Sequence, residues 1–376
     1  MRTDSHPLTC CVPGTRRELV SLHFGNTDGG QKALIQASLH ADEPPGLLVA
    51  YHLRRELAAL EAEKRLRGEI VLVPMANPVG SAQRVLGRAL GRFELAGGEN
   101  FNRNYADLSA ATFARLQAEI DAGHLPTVAA VRSALRAACA DLPANSELQS
   151  LRRTLLGLAI DADLVLDLHC DNEAVLHLYT ATPVWPAVEP LARLLRAEVS
   201  LLAVESGGEP FDEACSTLWA RLGRRYREHT GKEHPWPDAC VAVTVELRGE
   251  TDVSHELAQR DARAILDYLT LRGMIDAPAP ELPPLIHEPR PLEGCVPVST
   301  LRGGVLVHRP LLGQMVHKGQ CIAEVIDPLT GESCELNSAV DGLLFARESQ
   351  RIVHAGMPIA KVAGVEAIRS GHLLSA

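Results

Sequence analysis

The sequence predicts an α/β protein, a mainly parallel mixed sheet flanked by helices, followed by a small C-terminal all-β barrel-sandwich domain. Three observations predict it. Through the first 275 residues, short β-rich apolar runs alternate with stretches of helical periodicity, the order that builds a parallel sheet covered on both faces. Residues 276–291 then read DAPAPELPPLIHEPRP, with six prolines, and behave as a semi-rigid extended spacer. Beyond it, glycines at 303, 304, 313, 319, 331, 342 and 356 punctuate short strands such as Gly304–His308 and Ile322–Ile326, the pattern of a small β-barrel or sandwich. A chain of 376 residues exceeds the roughly 250–300 at which single cores divide. The domains are therefore placed at 1–275, 276–291 (linker) and 292–376.

Four apolar runs are the strand candidates: Ala33–Leu39, Glu69–Pro74, Leu164–Leu168 and Val241–Leu247. The first runs into Pro44–Pro45 and then a stripe of Leu47, Ala50, Leu53, Leu57 and Leu60. That is a helix with prolines in its first turn. Further helical spacing covers Ala110–Ile120, Leu151–Ile160, Pro190–Val199 and Glu256–Leu269.

Composition removes several function classes. Lys+Arg 37 against Asp+Glu 47 leaves a net charge of −10, which argues against nucleic acid or an anionic membrane surface as partner. No apolar run approaches the ~18 residues of a membrane-spanning helix, and MRTDSHPLTCCVPGTRREL at the start lacks the apolar core of a secretory signal. Nine scattered cysteines read as reduced thiols of a cytoplasmic protein. Cys10–Cys11 and Cys170 alone invite a metal reading, and adjacent cysteines share one ion poorly, so a structural zinc site is disfavoured.

The chemistry lies where polar residues interrupt apolar runs. His40 and Glu43 follow the first strand, His169 ends the third and Glu246 lies near the end of the fourth. In an open parallel sheet, ligands bind beyond the carboxyl ends of the strands, so the four converge in one crevice. Two histidines and one carboxylate leave zinc an open position for water or substrate. The plain alternatives are a solvated turn for His40–Glu43 and a hydrogen-bonded core histidine for His169. Glu246 in TVELRGE is either a general base toward an activated water or the ion-pair partner of Arg248, two residues along the same strand face. Glu250, past Gly249, is expected exposed. Asp167 is either a buried hydrogen-bonded carboxylate or a group orienting His169, and Cys170 and Asp171 either line the pocket or pack a loop. Between the sheet runs, Ala76–Tyr105 is rich in glycine and arginine. Arg84, Arg88 and Arg92 would form one stripe if helical, and Asn102-Arg103-Asn104 suits carboxylate recognition; a solvated basic face is the alternative.

The motifs HADE at 40–43, ANP at 76–78, NFNRN at 100–104, DLH at 167–169 and TVE at 244–246 occur in the order of the zinc carboxypeptidase-like superfamily. Over roughly Leu34–Leu269 the chain resembles its succinylglutamate desuccinylase/aspartoacylase branch. The resemblance implies one Zn2+ per chain on His40, Glu43 and His169, with Glu246 as general base and proton shuttle. It implies Asn102 and Arg103 as holders of a substrate carboxylate, and an arginine polarising the scissile carbonyl. Arg92, nearest the Asn-Arg pair, is favoured over Arg88 and Arg84. Leu292–Gly364 resembles the C-terminal domain of the same branch, similar to biotinyl/lipoyl carrier folds. The stretch ELNSAVDG lacks a carrier's exposed lysine, so that domain reads as an unmodified cap over the entrance. The implied function is a zinc-dependent amidohydrolase that removes the acyl group from a small N-acyl amino acid or related amide. The alternatives are a metallocarboxypeptidase acting on short peptides and a catalytically silent zinc-binding protein, against which the intact Glu246 speaks. A homo-oligomer is compatible with the sequence.

Overall fold

The computed structural model describes residues 1–9, 12–26, 30–233 and 236–374; the Cys10–Cys11 pair lies outside them. Among the described residues, the main sheet has nine strands. Their order is Arg2–Pro7, Glu18–Gly25, Glu69–Val73, Lys32–Ala37, Leu164–Asp171, Val241–Gly249, His177–Ala181, Val199–Ala203 and Arg290–Pro291. The four strands predicted from apolar runs lie side by side and parallel at its centre. Central strands are buried on both faces, so their residues are apolar without alternation. The flanking strands Glu18–Gly25 and His177–Ala181 are antiparallel to the neighbours they pair with in this block, which makes the sheet mixed. The outer strand Arg2–Pro7 reads RTDSHP and is largely exposed, so it carries no apolar signal.

Helices Pro45–Ala62, Trp185–Leu195 and His255–Leu271 pack on one face against Ile35, Leu166, Val243 and Val245. Helices Ser109–Asp121, Val128–Ala140, Glu147–Ala159 and Phe211–Thr230 pack on the other, against Leu34, Val165 and Ala242. The helix expected over 190–199 instead spans Trp185–Leu195, because Arg196 turns left-handed at φ 59° and ends it, and Val199 opens the next strand. The three arginines between 84 and 92 are not on a helix. Arg84–Val85 and Arg88–Ala89 form a two-stranded hairpin with Arg84 and Arg88 exposed.

Residues 276–289 form no helix or strand. Carbonyls of Leu282, Pro283 and Pro284 accept hydrogen bonds from Arg193 and Arg196. The residues beyond build two sheets. Cys295–Ser299, Pro358–Gly364, Gly342–Arg347 and Met315–Val316 make one; Ser333–Asn337, Cys321–Ile326, Gly304–His308 and Ile352–Val353 make the other. Val298, Leu306, Ile322, Leu344, Val353 and Ile359 from both sheets share one core. A second cluster joins this part to the main sheet through Val199, Leu201, Leu343 and Phe345, and Glu173–Ala174 pairs directly with Ala346–Arg347.

His177 lies at that junction, fully buried, its Nδ1–H donating to the Val175 carbonyl at 2.8 Å and its ring 4.9 Å from that of Phe345. Burial pushes its pKa down to about 4, against ~6.5 in the unfolded chain. The folded state therefore disfavours the bound proton: this contribution is intact above pH ~6.5 and is lost as the pH falls toward 4, reaching about 3 kcal/mol. Urea unfolding at pH 7 and 4.5 checks it. The parent chain is expected to lose about 2 kcal/mol more over that interval than a His177→Gln variant, and equal losses would refute the assignment.

Candidate active site and metal centre

The first histidine is positioned by the strand end. Ser38 adopts φ 64° and stops Lys32–Ala37, after which the chain turns with the Glu43 N–H donating to the His40 carbonyl. Pro44 and Pro45 then start the helix. The Asn-Pro turn at 77–78 secures this corner: Asn77 Nδ2 donates to the Leu39 carbonyl at 2.8 Å, while its Oδ1 caps Gly80 N–H. Gly91 closes on the other side, donating to Asp42 Oδ2 at 2.9 Å. A Cβ there would sit 2.3 Å from the Asp42 nitrogen, so no larger residue fits. Arg92 comes next, and its Nη1 lies 3.3 Å from Glu43 Oε1.

His40, Glu43 and His169 are all buried, with one donor atom from each lying within 4.8 Å of the others. Glu43 bridges the histidines, Oε1 at 2.8 Å from His40 Nδ1 and Oε2 at 2.9 Å from His169 Nδ1. The opposite ring nitrogens have their own partners. His40 Nε2 donates to Asn100 Oδ1 at 2.8 Å, an oxygen fixed as acceptor by the Asn102 backbone N–H. His169 Nε2 is 2.9 Å from Asp167 Oδ2, and Asp167 Oδ1 accepts from Gln36.

These contacts test whether the site suits a cation. Burial, only partly offset by Glu43, lowers the His40 pKa, so the ring is neutral. With its proton on Nε2, its bare Nδ1 faces a carboxylate oxygen, and Arg92 Nη1, 3.5 Å from that nitrogen and 3.3 Å from that oxygen, brings positive charge to both, so the pair presents its lone pairs to a cation. Histidine ligands with the far N–H on a carboxylate or carbonyl are the usual setting of a metal. The donor set fits a divalent ion, and among the described residues it is the one such cluster of three.

Glu246 is the register partner of His169 on the adjacent strand, and its Oε2 is buried with no hydrogen-bond partner. Burial and the Glu43 carboxylate push its pKa up to about 8. The ion pair with Arg248 that the spacing allowed is not formed; Arg248 pairs with Asp261 instead. Glu250 lies outside the cavity lining and accepts from Ser349. Cys170 and Asp171 both line the cavity. The Cys170 backbone N–H donates to Glu43 Oε2 at 3.0 Å, and Asp171 pairs with Lys361.

A cavity of about 600 Å³ opens over the cluster. Arg92, Asn102, Arg103, His40, His169 and Glu246 all line it; Arg84 and Arg88 do not. Asn102 is held by the Phe211 N–H on its Oδ1 at 2.9 Å, and Arg103 Nη1 donates to the Asn102 carbonyl. The far wall is made by Arg347, Lys361 and Arg369, supplied by the C-terminal strands and tail. Sequence reasoning missed these three, and Asn100 as well. The amides at alternate positions 100, 102 and 104 were a usable sign of an extended, site-lining segment.

Residues 29–125 match the profile of the succinylglutamate desuccinylase/aspartoacylase catalytic domain. A protein of that family from Shewanella amazonensis has the same fold at TM-score 0.83 and 26% identity, over 96% of this chain and 98% of its own. Over those residues, and in its overall fold, the chain resembles the succinylglutamate desuccinylase/aspartoacylase family. A second such structure, from Shewanella frigidimarina, aligns at TM-score 0.80 and 25% identity, over 96% and 97% of the two chains. The product-bound ectoine utilization protein EutE (DoeB) from Ruegeria pomeroyi shares the fold at TM-score 0.66 and 18% identity, over 96% and 93%. No curated protein matches the sequence. No described helix is long and apolar enough to cross a membrane.

Proposed function

We propose that the chain is a zinc-dependent deacylase that hydrolyses the amide of a small N-acyl amino acid. The observation that carries this is the Glu43-bridged histidine pair beside an unpaired Glu246, at the floor of a cavity of about 600 Å³. His40, Glu43 and His169 would hold the ion. Bound there, zinc supplies a Lewis acid that polarises a carbonyl and acidifies water.

The chain's own groups do the rest. Glu246 accepts the proton of the attacking water on its unpaired Oε2 and returns it to the leaving nitrogen, a task suited to a carboxylate whose pKa lies near the working pH. Arg92, at the cavity edge, stabilises charge developing on the carbonyl oxygen. Arg103, with Asn102 fixing the backbone beside it, holds the substrate carboxylate as a fork. Residues 292–376 act as a cap, their strands supplying the wall that limits substrate size, with 276–291 as linker. Two histidine nitrogens and one carboxylate favour zinc.

Amine release from a panel of N-acyl amino acids and short peptides, by zinc-loaded protein with His40→Ala as the blank, tests the reading. Release from acyl amino acids is expected. Release from peptides alone would make the protein a metallocarboxypeptidase, and silence across the panel would overturn the deacylase assignment.

A further inference from the structure

The strand that carries Glu246 breaks register immediately after it. Glu246 pairs with His169, and Gly249 with Asp171, so three steps on one strand span two on its neighbour. The extra residue makes a β-bulge. Arg248 lies in it at φ 70°, a left-handed conformation unfavourable for any residue with a Cβ. Gly249 N–H on Asp252 Oδ2, at 2.9 Å, and Glu250 N–H on the Asn172 carbonyl, at 3.0 Å, hold the chain on its far side.

The bulge decides which face Arg248 reaches. Val243, Val245 and Leu247 point into the core beneath helix His255–Leu271, while Thr244 and Glu246 line the cavity. Unbroken alternation would place Arg248 on the cavity face, two positions from Glu246. Instead its guanidinium lies on the helix side, paired with Asp261 of His255–Leu271. Asp261 is fully buried, and Arg248 Nε and Asp261 Oδ1 are both buried without a hydrogen-bond partner. A buried ion pair with unfilled hydrogen-bonding capacity is a weak source of stability. Lys361, a cation of the cavity lining, is likewise held by a carboxylate, that of Asp171.

We infer that Asp261 is a positioning residue for the base: it draws the Arg248 guanidinium through the bulge to the helix face and so keeps Glu246 free of the cation its own strand carries. The inference rests on the reading of Glu246 as general base. A carboxylate locked to a guanidinium is stabilised in its charged form and is a poor proton acceptor. Without Asp261, Arg248 turns toward Glu246 and silences it.

Asp261→Leu, Arg248→Gly and the double variant, each in the full chain and zinc-loaded, test this, with Tm and metal content measured alongside. Glycine suits the left-handed position. Asp261→Leu is expected to lower kcat at least tenfold, with KM within twofold of the parent and metal content unchanged. The double variant is expected to recover kcat to within threefold of the parent. That rescue is a result a merely structural role of the pair would not give, and a double variant as slow as Asp261→Leu overturns the inference. The crystal structure of Asp261→Leu, which leaves no acceptor at 261, reads the same point without turnover. The guanidinium is expected within ion-pair distance of Glu246, and finding it still against the helix overturns the inference. Absence of turnover by the parent chain would instead strike at the deacylase reading alone.

Discussion

Glu246→Gln is expected to retain its zinc and to lose turnover by about 10³-fold, within the 10²–10⁴ that a positioned general base supplies. The metal should stay because Glu246 is not among the three clustered donors. The loss should fall on kcat, because glutamine keeps the shape and polarity of the side chain but accepts no proton. The direction of the Glu246 pKa bears on this expectation. Burial and Glu43 raise it, which makes the group a stronger base than an exposed carboxylate and lets it hold the proton long enough to deliver it to the leaving amine. A bound cation opposes that shift, so activity should rise with pH as Glu246 deprotonates. Metal analysis beside the hydrolysis assay decides the matter; a Glu246→Gln variant with parental kcat would remove the residue from the mechanism.

Distance along the chain governs how much of the site is legible in the sequence. His40 and Glu43 are three apart on one turn, so their meeting is a local matter. His169 and Glu246 could be placed because each ends an apolar run, and such runs become adjacent parallel strands. The observed register sets the two side by side. Arg248 was out of reach for the opposite reason. A single extra residue in a strand reverses the facing of every residue after it, and nothing in TVELRGE marks it, since arginine is not a residue chosen for left-handed backbone. Asn100 was missed because its partner His40 lies 60 residues away, and Asp167 stayed open because a carboxylate two positions before His169 on a buried strand suits either reading. Lys361 and Arg347 reach the cavity from strands more than 170 residues beyond His169, a juxtaposition that only the docking of the two sheet systems creates.

His40→Ala should lose the metal and with it all turnover. Removing a group that merely orients a ligand costs 10–100-fold in metal affinity; removing one of three ligands should cost more, and the variant purified without added zinc is expected to carry far less than one ion per chain. The geometry adds a second reason. In the ion-free cluster, burial opposes a charge on His169, but Asp167 and Glu43 outweigh it and hold the imidazole pKa well above its usual value. One imidazolium between two carboxylates leaves the cluster with a net negative charge that a cation would balance. An ion held there would replace the proton on His169, and His40 would supply the second nitrogen that makes the exchange favourable. With alanine at 40 the proton should win. The same competition fixes a pH dependence in the parent chain: zinc uptake releases a proton, so affinity weakens as the pH falls, by up to about tenfold per unit for one proton exchanged. Calorimetric titration with zinc in two buffers of different ionisation enthalpy measures that proton directly. A full zinc complement in His40→Ala, or uptake with no proton released, would show that the ion is held elsewhere.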